Sequence, residues 1–192
     1  MKRRNSGFTL VEIMITVTIM GILSATVALS ISNYVLERRG EERVVAFYSM
    51  LQQMRGYAQR NNVTYDVILA PVNLHTNTAA VNSTFEIQVG GAVIPQLFPN
   101  QASVTRNLRF VSNLPAAAAS ATNRPFTPPD GWGTGNTSRT IRFQNDEIGT
   151  ISPGVLYLQN TNTTNIYYAI IRQADRNYLN LYKWNGRAWD PL

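Results

Sequence analysis

The sequence predicts an α+β protein in which one long N-terminal helix, with a transmembrane half and an amphipathic half, packs on a β-rich head. Two observations predict this fold class. Apolar residues follow helical spacing to about residue 60, and beyond it they alternate with polar residues in short segments bounded by turn signals. No helical period and no βαβ alternation follow residue 60. The predicted head, residues 62–192, is therefore antiparallel, with two sheets packed face to face as a sandwich.

The first half of the predicted helix is an apolar run without a charged residue at positions 13–36. A helix of this length spans about 36 Å, which exceeds the roughly 30 Å hydrocarbon core of a bilayer. Lys2, Arg3 and Arg4 precede it and favour a cytoplasmic N-terminus. We therefore expect residues 8–36 to be a transmembrane segment with the head on the opposite side.

Glu12 is the one carboxylate within this apolar stretch. A charge at membrane depth costs several kcal/mol unless it is paired. No Lys or Arg lies between Gly7 and Leu36, so the nearby part of the chain offers no cation. The partner of Glu12 is expected to be outside this chain or to be a newly formed N-terminus.

The segment Gly7-Phe8-Thr9-Leu10-Val11-Glu12, behind its short basic leader, resembles the cleavage and assembly motif of type IV pilins and type II secretion pseudopilins. The resemblance implies that prepilin peptidase removes residues 1–7 and methylates the new amine of Phe8. It implies that Glu12 neutralises this amine on a neighbouring subunit. It also implies a single-pass protein of the bacterial inner membrane with a periplasmic head, which joins other pilin subunits through the inner-membrane assembly platform.

Two other interpretations of the N-terminus remain. The basic start and apolar run are also typical of a secretory signal peptide, with small residues near Ser24 to Ala28 as a cleavage site. The run continues past Ala28, however, and Glu12 would lie inside the apolar region of that signal. A plain signal anchor is the second alternative, and it leaves Glu12 unexplained.

Composition limits the partners and chemistry of the chain. Three of the six net positive charges come from the leader, so the processed chain carries a net charge of +3. This mildly basic balance permits contact with nucleic acid without requiring it. The chain has no cysteine, which excludes disulfides and thiolate chemistry.

Residues 37–61 predict an amphipathic helix that continues into the head. It starts with a charged turn, within which Gly40 is expected to bend or soften the helix; the turn comprises Glu37, Arg38, Arg39, Glu41, Glu42 and Arg43. An apolar stripe with i, i+3, i+4 spacing follows at Val44, Phe47, Tyr48, Leu51, Met54 and Ala58. The end of this helix, residues 55–60, followed by a strand, resembles the minor pilins of the GspH/FimT type.

The remainder predicts β-strands at residues 63–70, 84–89, 104–111, 140–144, 155–159, 166–172 and 178–184. Gly90-Gly91 predicts a hairpin into a further strand that ends near Phe98. Residues 112–138 contain prolines, glycines and an alanine run, and predict a long surface loop. Arg124, Phe126 and Trp132 are its candidates for a partner contact.

A second hairpin is predicted around Asn185-Gly186, and its tip carries Lys183, Trp184, Arg187 and Trp189. Cations beside aromatic rings can bind DNA through phosphate contacts and base stacking. Gly186-Arg187 also resembles the C-terminal motif of DNA-binding FimT-like pilins, although Trp189 replaces a second basic residue and Asp190 adds a repulsive charge. The alternative is a closing hairpin whose Trp residues cover the sheet edge.

The sequence contains no recognised catalytic or metal-binding constellation. His75 lies in an Asn/Thr-rich turn without a second ligand, and the oxygens of Asp130, Asn145, Asp146 and Glu147 lack the spacing of a calcium loop. We expect neither a cofactor nor an enzyme. The predicted function is that of a minor pilin-like structural subunit. The alternatives are a DNA-binding subunit for DNA uptake and, in another class, an anchored or secreted β-domain with enzymatic activity.

Overall fold

The computed structural model describes residues 8–70, 84–94, 105–111, 114, 116–121, 140–146, 150–163, 166–173 and 175–192. Within these ranges the chain forms one long helix, one short helix and nine strands. The predicted leader with Gly7, the loop candidates Arg124, Phe126 and Trp132, and His75 lie outside the described residues.

Helix α1, Leu10–Asn61, is a continuous helix of 52 residues, which corresponds to about 78 Å of length. Thr9 caps its N-terminus, because the hydroxyl of Thr9 accepts a hydrogen bond from the Glu12 N–H at 3.2 Å. Asn62 ends the helix in the left-handed conformation (φ 53°), and its N–H donates to the Ala58 carbonyl. The predicted helix bounds agree with these ends to within about two residues.

The strands form two antiparallel sheets. Their bounds are β1 Tyr65–Ala70, β2 Thr84–Val89, β3 Ala92–Val93, β4 Leu108–Val111, β5 Thr140–Phe143, β6 Gly154–Asn160, β7 Tyr167–Arg172, β8 Asn180–Trp184 and β9 Trp189–Pro191. The first sheet has the order β3-β2-β1-β5, and the second has the order β4-β6-β7-β8-β9. The predicted α+β class with antiparallel sheets is confirmed, while their face-to-face packing as a sandwich stays a prediction.

The predicted stripe on α1 lies in the main hydrophobic core. Val44, Phe47, Leu51, Met54 and Ala58 are fully buried, and Tyr48 is partly buried against them. The same cluster contains residues of both sheets, such as Ile87 of β2 and Ile170 of β7. The C-terminal half of α1 is therefore part of the head, as the helical spacing predicts.

A second hydrophobic cluster involves the opposite faces of β6 and β7. It contains Val155, Tyr157, Ala169, Ile171, Trp184 and Trp189, together with Ala118 of the short helix α2, Ala116–Ala119. The prediction that the alanine run belongs to an exposed surface loop without helix was wrong for these residues. Ala118 is fully buried, because α2 packs against the second sheet.

Gly90 and Gly91 form the predicted hairpin turn with φ of 57° and 84°, and Ala92 and Val93 form β3 in the described part of the chain. The predicted end of this strand near Phe98 lies outside the described residues. The prediction for the next strand needs correction. Strand β4 begins at Leu108 and not at residue 104, because residues 105–107 form a turn in which Asn107 has a φ of 61°. The Leu108 N–H donates to the Thr105 carbonyl and closes this turn.

Candidate functional site

The N-terminal end of α1 presents the carboxylate of Glu12 to solvent. Glu12 is the third residue of the helix, where a negative charge interacts favourably with the helix dipole. Its backbone N–H is satisfied by Thr9, but among the described residues no hydrogen bond or ion pair to its carboxylate is found. Phe8, which the resemblance makes the new N-terminus, is 80% exposed. The structure therefore leaves both predicted assembly residues accessible to a partner.

The first half of α1 is exposed at its described side chains, residues 10–25 and 31–34. Its exposed large apolar residues include Leu10, Val11, Ile13, Met14, Ile15, Val17, Ile19, Met20, Ile22, Leu23 and Ile31. Hydroxyls within this half bond to the helix itself: Thr16 donates to the Glu12 carbonyl, Thr18 to Met14 and Ser24 to Met20, at 2.6–2.8 Å. These three hydroxyls therefore need no water molecule as a hydrogen-bond partner. Among the residues that the structure describes, no helix combines the length and apolarity needed to cross a membrane, so the transmembrane segment at residues 8–36 stays a prediction.

The junction, which we define as Leu36, Glu37, Gly40 and Glu41 of α1 with Asn160 and Lys183 of the head, connects the two halves of the molecule. The Lys183 ammonium on β8 donates to Glu37 Oε1 at 2.8 Å and to Glu41 Oε2 at 2.9 Å. Lys183 and Glu41 are only 18% and 16% exposed at their side chains. One cation of the second sheet therefore binds two successive turns of the helix.

The charge of Lys183 is stabilised by these contacts. Burial by itself lowers the pKa of Lys183, but the hydrogen bonds and charges of Glu37 and Glu41 outweigh it, so the pKa is raised above its usual 10.5. Lys183 is thus fully charged at neutral pH. Within the charged turn itself, Arg38 pairs with Glu41 at 3.3 Å. The sequence did not predict Lys183 as the partner that Glu37 and Glu41 share.

Asn160, the last residue of β6, makes the second contact of the junction. It is fully buried, and its Nδ2 donates to the Leu36 carbonyl at 3.2 Å while its Oδ1 accepts from the Asn162 N–H at 3.0 Å. A Cβ atom at Gly40 would overlap Asn160 Nδ2 and lie 2.6 Å from Asn160 Cγ. Gly40 is therefore required for close approach of strand and helix. The helix continues unbroken through this position.

A basic cleft lies beside the junction. Its volume is about 360 Å³, and it is lined by Leu36, Arg39, Gly40, Arg43, Arg106, Asn107 and Asn162. Three of these residues are arginines and none is acidic. Sequence reasoning missed this site, because Arg106 is more than sixty positions away from the arginines of the charged turn.

Residues 2–28 match the family model of the prokaryotic N-terminal methylation motif. This methylation motif covers the leader, Phe8 and Glu12, and it supports the pilin and pseudopilin class and a precursor that prepilin peptidase processes. Searches of curated proteins and of solved structures found no match. The match is limited to the N-terminal segment, and the assignment to the GspH/FimT type stays a prediction.

The C-terminal hairpin does not present its four predicted DNA-binding residues on one exposed surface. Trp184 and Trp189 are each 3% exposed, with ring centroids 5.6 Å apart, and Trp189 Nε1 donates to the Ala118 carbonyl at 3.0 Å. Lys183 is held by the two glutamates of α1. Only Arg187 of the four is exposed. The hydrophobic runs 155–158 and 168–171, which are buried on both sheet faces, were the sequence signal for this packing.

The described acidic residues do not gather into a metal site. In the part of the chain that the structure describes, no group of three His, Cys, Asp or Glu side chains could hold a metal ion. Asn145 instead donates to the Asn62 carbonyl at 3.3 Å, and Asp146 Oδ1 accepts the Thr150 N–H at 2.6 Å. Asp130 and Glu147, the other two candidate calcium ligands, lie outside the described residues.

Proposed function

We propose that this chain is a minor pilin-like subunit of the GspH/FimT type, which enters a type IV pilus or the related type II secretion pseudopilus. In this proposal prepilin peptidase cleaves after Gly7 and methylates Phe8, and residues 13–36 hold the processed chain in the inner membrane before assembly. The role is structural and not catalytic. The match of residues 2–28 to the methylation motif is the observation that carries the proposal.

The exposure pattern of α1 supports a subunit that is buried by other subunits. Its first half carries large apolar side chains that are more than half exposed, whereas its second half is integrated into the core of the head. An apolar surface of this extent on a soluble monomer is unfavourable. Burial in a bilayer and then among the helices of a filament would remove it from water.

The polar groups of this half also support burial in an apolar environment. The run 13–36 contains no charged residue, and the hydroxyls of Thr16, Thr18 and Ser24 are bonded to carbonyls of the preceding turn. Satisfied hydroxyls lower the free-energy cost of placing this helix in lipid or in a filament core. Residues 8–36 are therefore proposed as the membrane segment and the filament core.

The exposed carboxylate of Glu12 supports the proposed assembly contact. In the filament it would pair with the methylated amine of Phe8 on a neighbouring subunit, which would remove the cost of an unpaired charge at membrane depth. Since assembly depends on this pairing, a neutral residue at position 12 should block incorporation while cleavage after Gly7 continues. Incorporation and processing can thus be measured separately.

The test is a filament fractionation of cells that express the wild-type chain, Glu12→Ala or Glu42→Gln. Glu42 is the matched control, because it is an exposed carboxylate on the same helix outside the apolar half. We expect Glu12→Ala to be processed normally and to fall at least about tenfold in sheared filaments. Glu42→Gln should incorporate like the wild type. Equal incorporation of all three proteins would refute the Glu12 assembly contact, and absence of the wild-type chain from filaments would refute the subunit role.

A further inference from the structure

We propose that the basic cleft binds a phosphate group, with Arg39, Arg43 and Arg106 as its cationic ligands, and that the headgroup of an anionic phospholipid supplies this phosphate. The lipid source rests on the proposed membrane insertion of α1. The cleft itself does not depend on membrane insertion, because its lining residues belong to the helix and turns described above. A free phosphate anion is the second source with the same chemistry.

The cleft brings three guanidinium groups to one place from two parts of the chain. Leu36, Arg39, Gly40 and Arg43 follow i, i+3, i+4, i+7 spacing and therefore share one face of α1. Arg106 and Asn107 belong to the turn before β4 and line the same cleft. A guanidinium is permanently charged and presents a planar set of N–H donors that matches phosphate oxygens.

The acidic residues of the charged turn do not line this cleft. Glu37 and Glu41 face Lys183, and Glu41 also pairs with Arg38. In the described part of the chain, no ion pair joins Arg39 or Arg106 to a carboxylate. The lining of the cleft thus contains three arginines and no carboxylate.

The position of the cleft along α1 favours a lipid. Leu36 is the last residue of the charge-free run and also lines the cleft. With a rise of 1.5 Å per residue, Arg39 and Arg43 lie about 5 Å and about 10 Å beyond Leu36 along the helix axis. The headgroup region is roughly 5–8 Å thick on each side of the hydrocarbon core. Arg39 therefore lies at headgroup depth if the run crosses the bilayer, and Arg43 lies one helical turn farther from the hydrocarbon core.

The wall opposite the helix can form hydrogen bonds as well as ion pairs. Asn107 and Asn162 line the cleft with polar side chains. The turn that carries Asn162 is fixed by Asn160, whose Oδ1 accepts the Asn162 N–H at 3.0 Å. Because Asn160 also bonds to Leu36 of α1, the two walls of the cleft are held by the same side chain. A preformed cleft of this kind loses little conformational entropy when a phosphate binds.

The experiment measures binding of soluble probes to the full chain purified in a nonionic detergent. The probes are dihexanoyl phosphatidylglycerol, dihexanoyl phosphatidylcholine and inorganic phosphate. The variants are Arg39→Gln and Arg106→Gln, and Arg187→Gln is the matched control, an exposed arginine on the C-terminal hairpin. Buried Trp184 and Trp189 report by fluorescence whether each variant remains folded.

We expect the phosphatidylglycerol probe to bind more tightly than the phosphatidylcholine probe, since the choline cation is repelled by the cleft. Each cleft variant should weaken this binding about fivefold or more, and Arg187→Gln should change it less than about twofold. If inorganic phosphate displaces the phosphatidylglycerol probe with equal affinity, the ligand is a free anion. This result would support the cleft as a phosphate site. Equal binding of both lipids, or equal losses in the cleft and control variants, would overturn the proposal.

Two further measurements distinguish failure of the cleft from failure of the proposed function, and a phospholipid ligand from a nucleic acid. Alkaline extraction tests whether the chain is an integral membrane protein. Extraction into the soluble fraction with phosphate binding intact would contradict the membrane proposal and leave the cleft. Membrane retention without Arg106-dependent binding would contradict the cleft alone. A short DNA strand that displaces the lipid with a loss in Arg187→Gln would overturn the phospholipid assignment.

Discussion

Asn160 at the end of strand β6 lies directly against Gly40 of helix α1, so close that a Cβ atom at position 40 would lie 2.6 Å from Asn160 Cγ. The same asparagine donates to the Leu36 carbonyl at 3.2 Å. Strand and helix thus contact each other through backbone and one buried amide. This contact fixes α1 to the head at the point where its exposed half begins.

Gly40→Ala is expected to destabilise the protein although alanine is the better helix former. The gain in helix propensity is about 1 kcal/mol, whereas overpacking and the displaced amide of Asn160 cost about 2–4 kcal/mol. The net loss in free energy of unfolding should be about 1–3 kcal/mol, measured by urea denaturation of the full chain in detergent with Trp fluorescence.

Gly56→Ala is the matched control for this prediction. A Cβ at Gly56 would contact only the flexible end of Arg60, at 3.8 Å, so this variant should be as stable as the wild type or more stable. The double variant Gly40→Ala with Asn160→Ala should lose less stability than the sum of the single changes. Equal stability of Gly40→Ala and Gly56→Ala would contradict the close approach.

Lys183→Met is expected to weaken the attachment of α1 to the second sheet. It removes the shared partner of Glu37 and Glu41 and leaves two carboxylates on successive turns, at an expected cost of about 1–3 kcal/mol in free energy of unfolding. Arg176→Met is the control, since the pair of Arg176 with Asp175 is solvent-exposed (54% and 72%) and should contribute less than about 0.5 kcal/mol. Urea denaturation compares the two, and equal effects would contradict a special role for Lys183.

Tyr168→Phe tests a buried hydroxyl close to the same charges. Tyr168 is fully buried, its hydroxyl has no hydrogen-bond partner within the described residues, and burial raises its pKa to about 12. Removing this hydroxyl at pH 7 should leave the free energy of unfolding unchanged or raise it by about 1 kcal/mol. A loss above about 1 kcal/mol at pH 7 would indicate a hydrogen bond that the structure lacks.

The raised pKa of Tyr168 also predicts a pH dependence. Since burial raises the folded pKa to about 12, above the unfolded value of 10, Tyr168 stays neutral in the folded protein while the unfolded chain ionises, so the free energy of unfolding falls as pH rises from 10 to about 12. This shift corresponds to about 2–3 kcal/mol. The wild type should therefore lose stability more steeply than Tyr168→Phe over this range. The raised pKa of Lys183 adds a loss of the same sign, which both proteins share.

Arg187→Ala is expected to change DNA retention by less than about twofold. The two Trp rings are buried and Lys183 is paired, so a single exposed guanidinium can contribute about one phosphate contact. The measurement is salt-dependent retention of the full chain on immobilised single-stranded and double-stranded DNA. Retention that is strong for the wild type and lost in Arg187→Ala, with an unchanged melting temperature, would instead support a DNA-uptake role.

Local patterns in the sequence were sufficient for the helix and most strands. The stripe from Val44 to Ala58 identified the buried face of α1, and alternation over residues 84–89 matched the bounds of β2, because both signals depend on neighbours within a few positions. The positive φ of Gly90 and Gly91 was likewise predictable from the glycine pair.

Contacts between distant segments were not predictable in the same way. Lys183 is separated from Glu37 by 146 positions, and their contact depends on the order of strands in the second sheet. The burial of Trp184 and Trp189 was not predictable either. The short helix α2 packs in the same hydrophobic cluster as these two residues, but its sequence is an alanine run without a clear helical period. The arginine cleft likewise requires the turn before β4 to lie beside α1.

The most direct test of the central claim is the mass and N-terminal sequence of the mature protein, produced with and without prepilin peptidase. We expect a chain that starts at a methylated Phe8 when the peptidase is present and at Met1 when it is absent. A start near Ala28 independent of that peptidase, or an uncleaved Met1 in its presence, would contradict the assignment of the N-terminal segment as a prepilin signal.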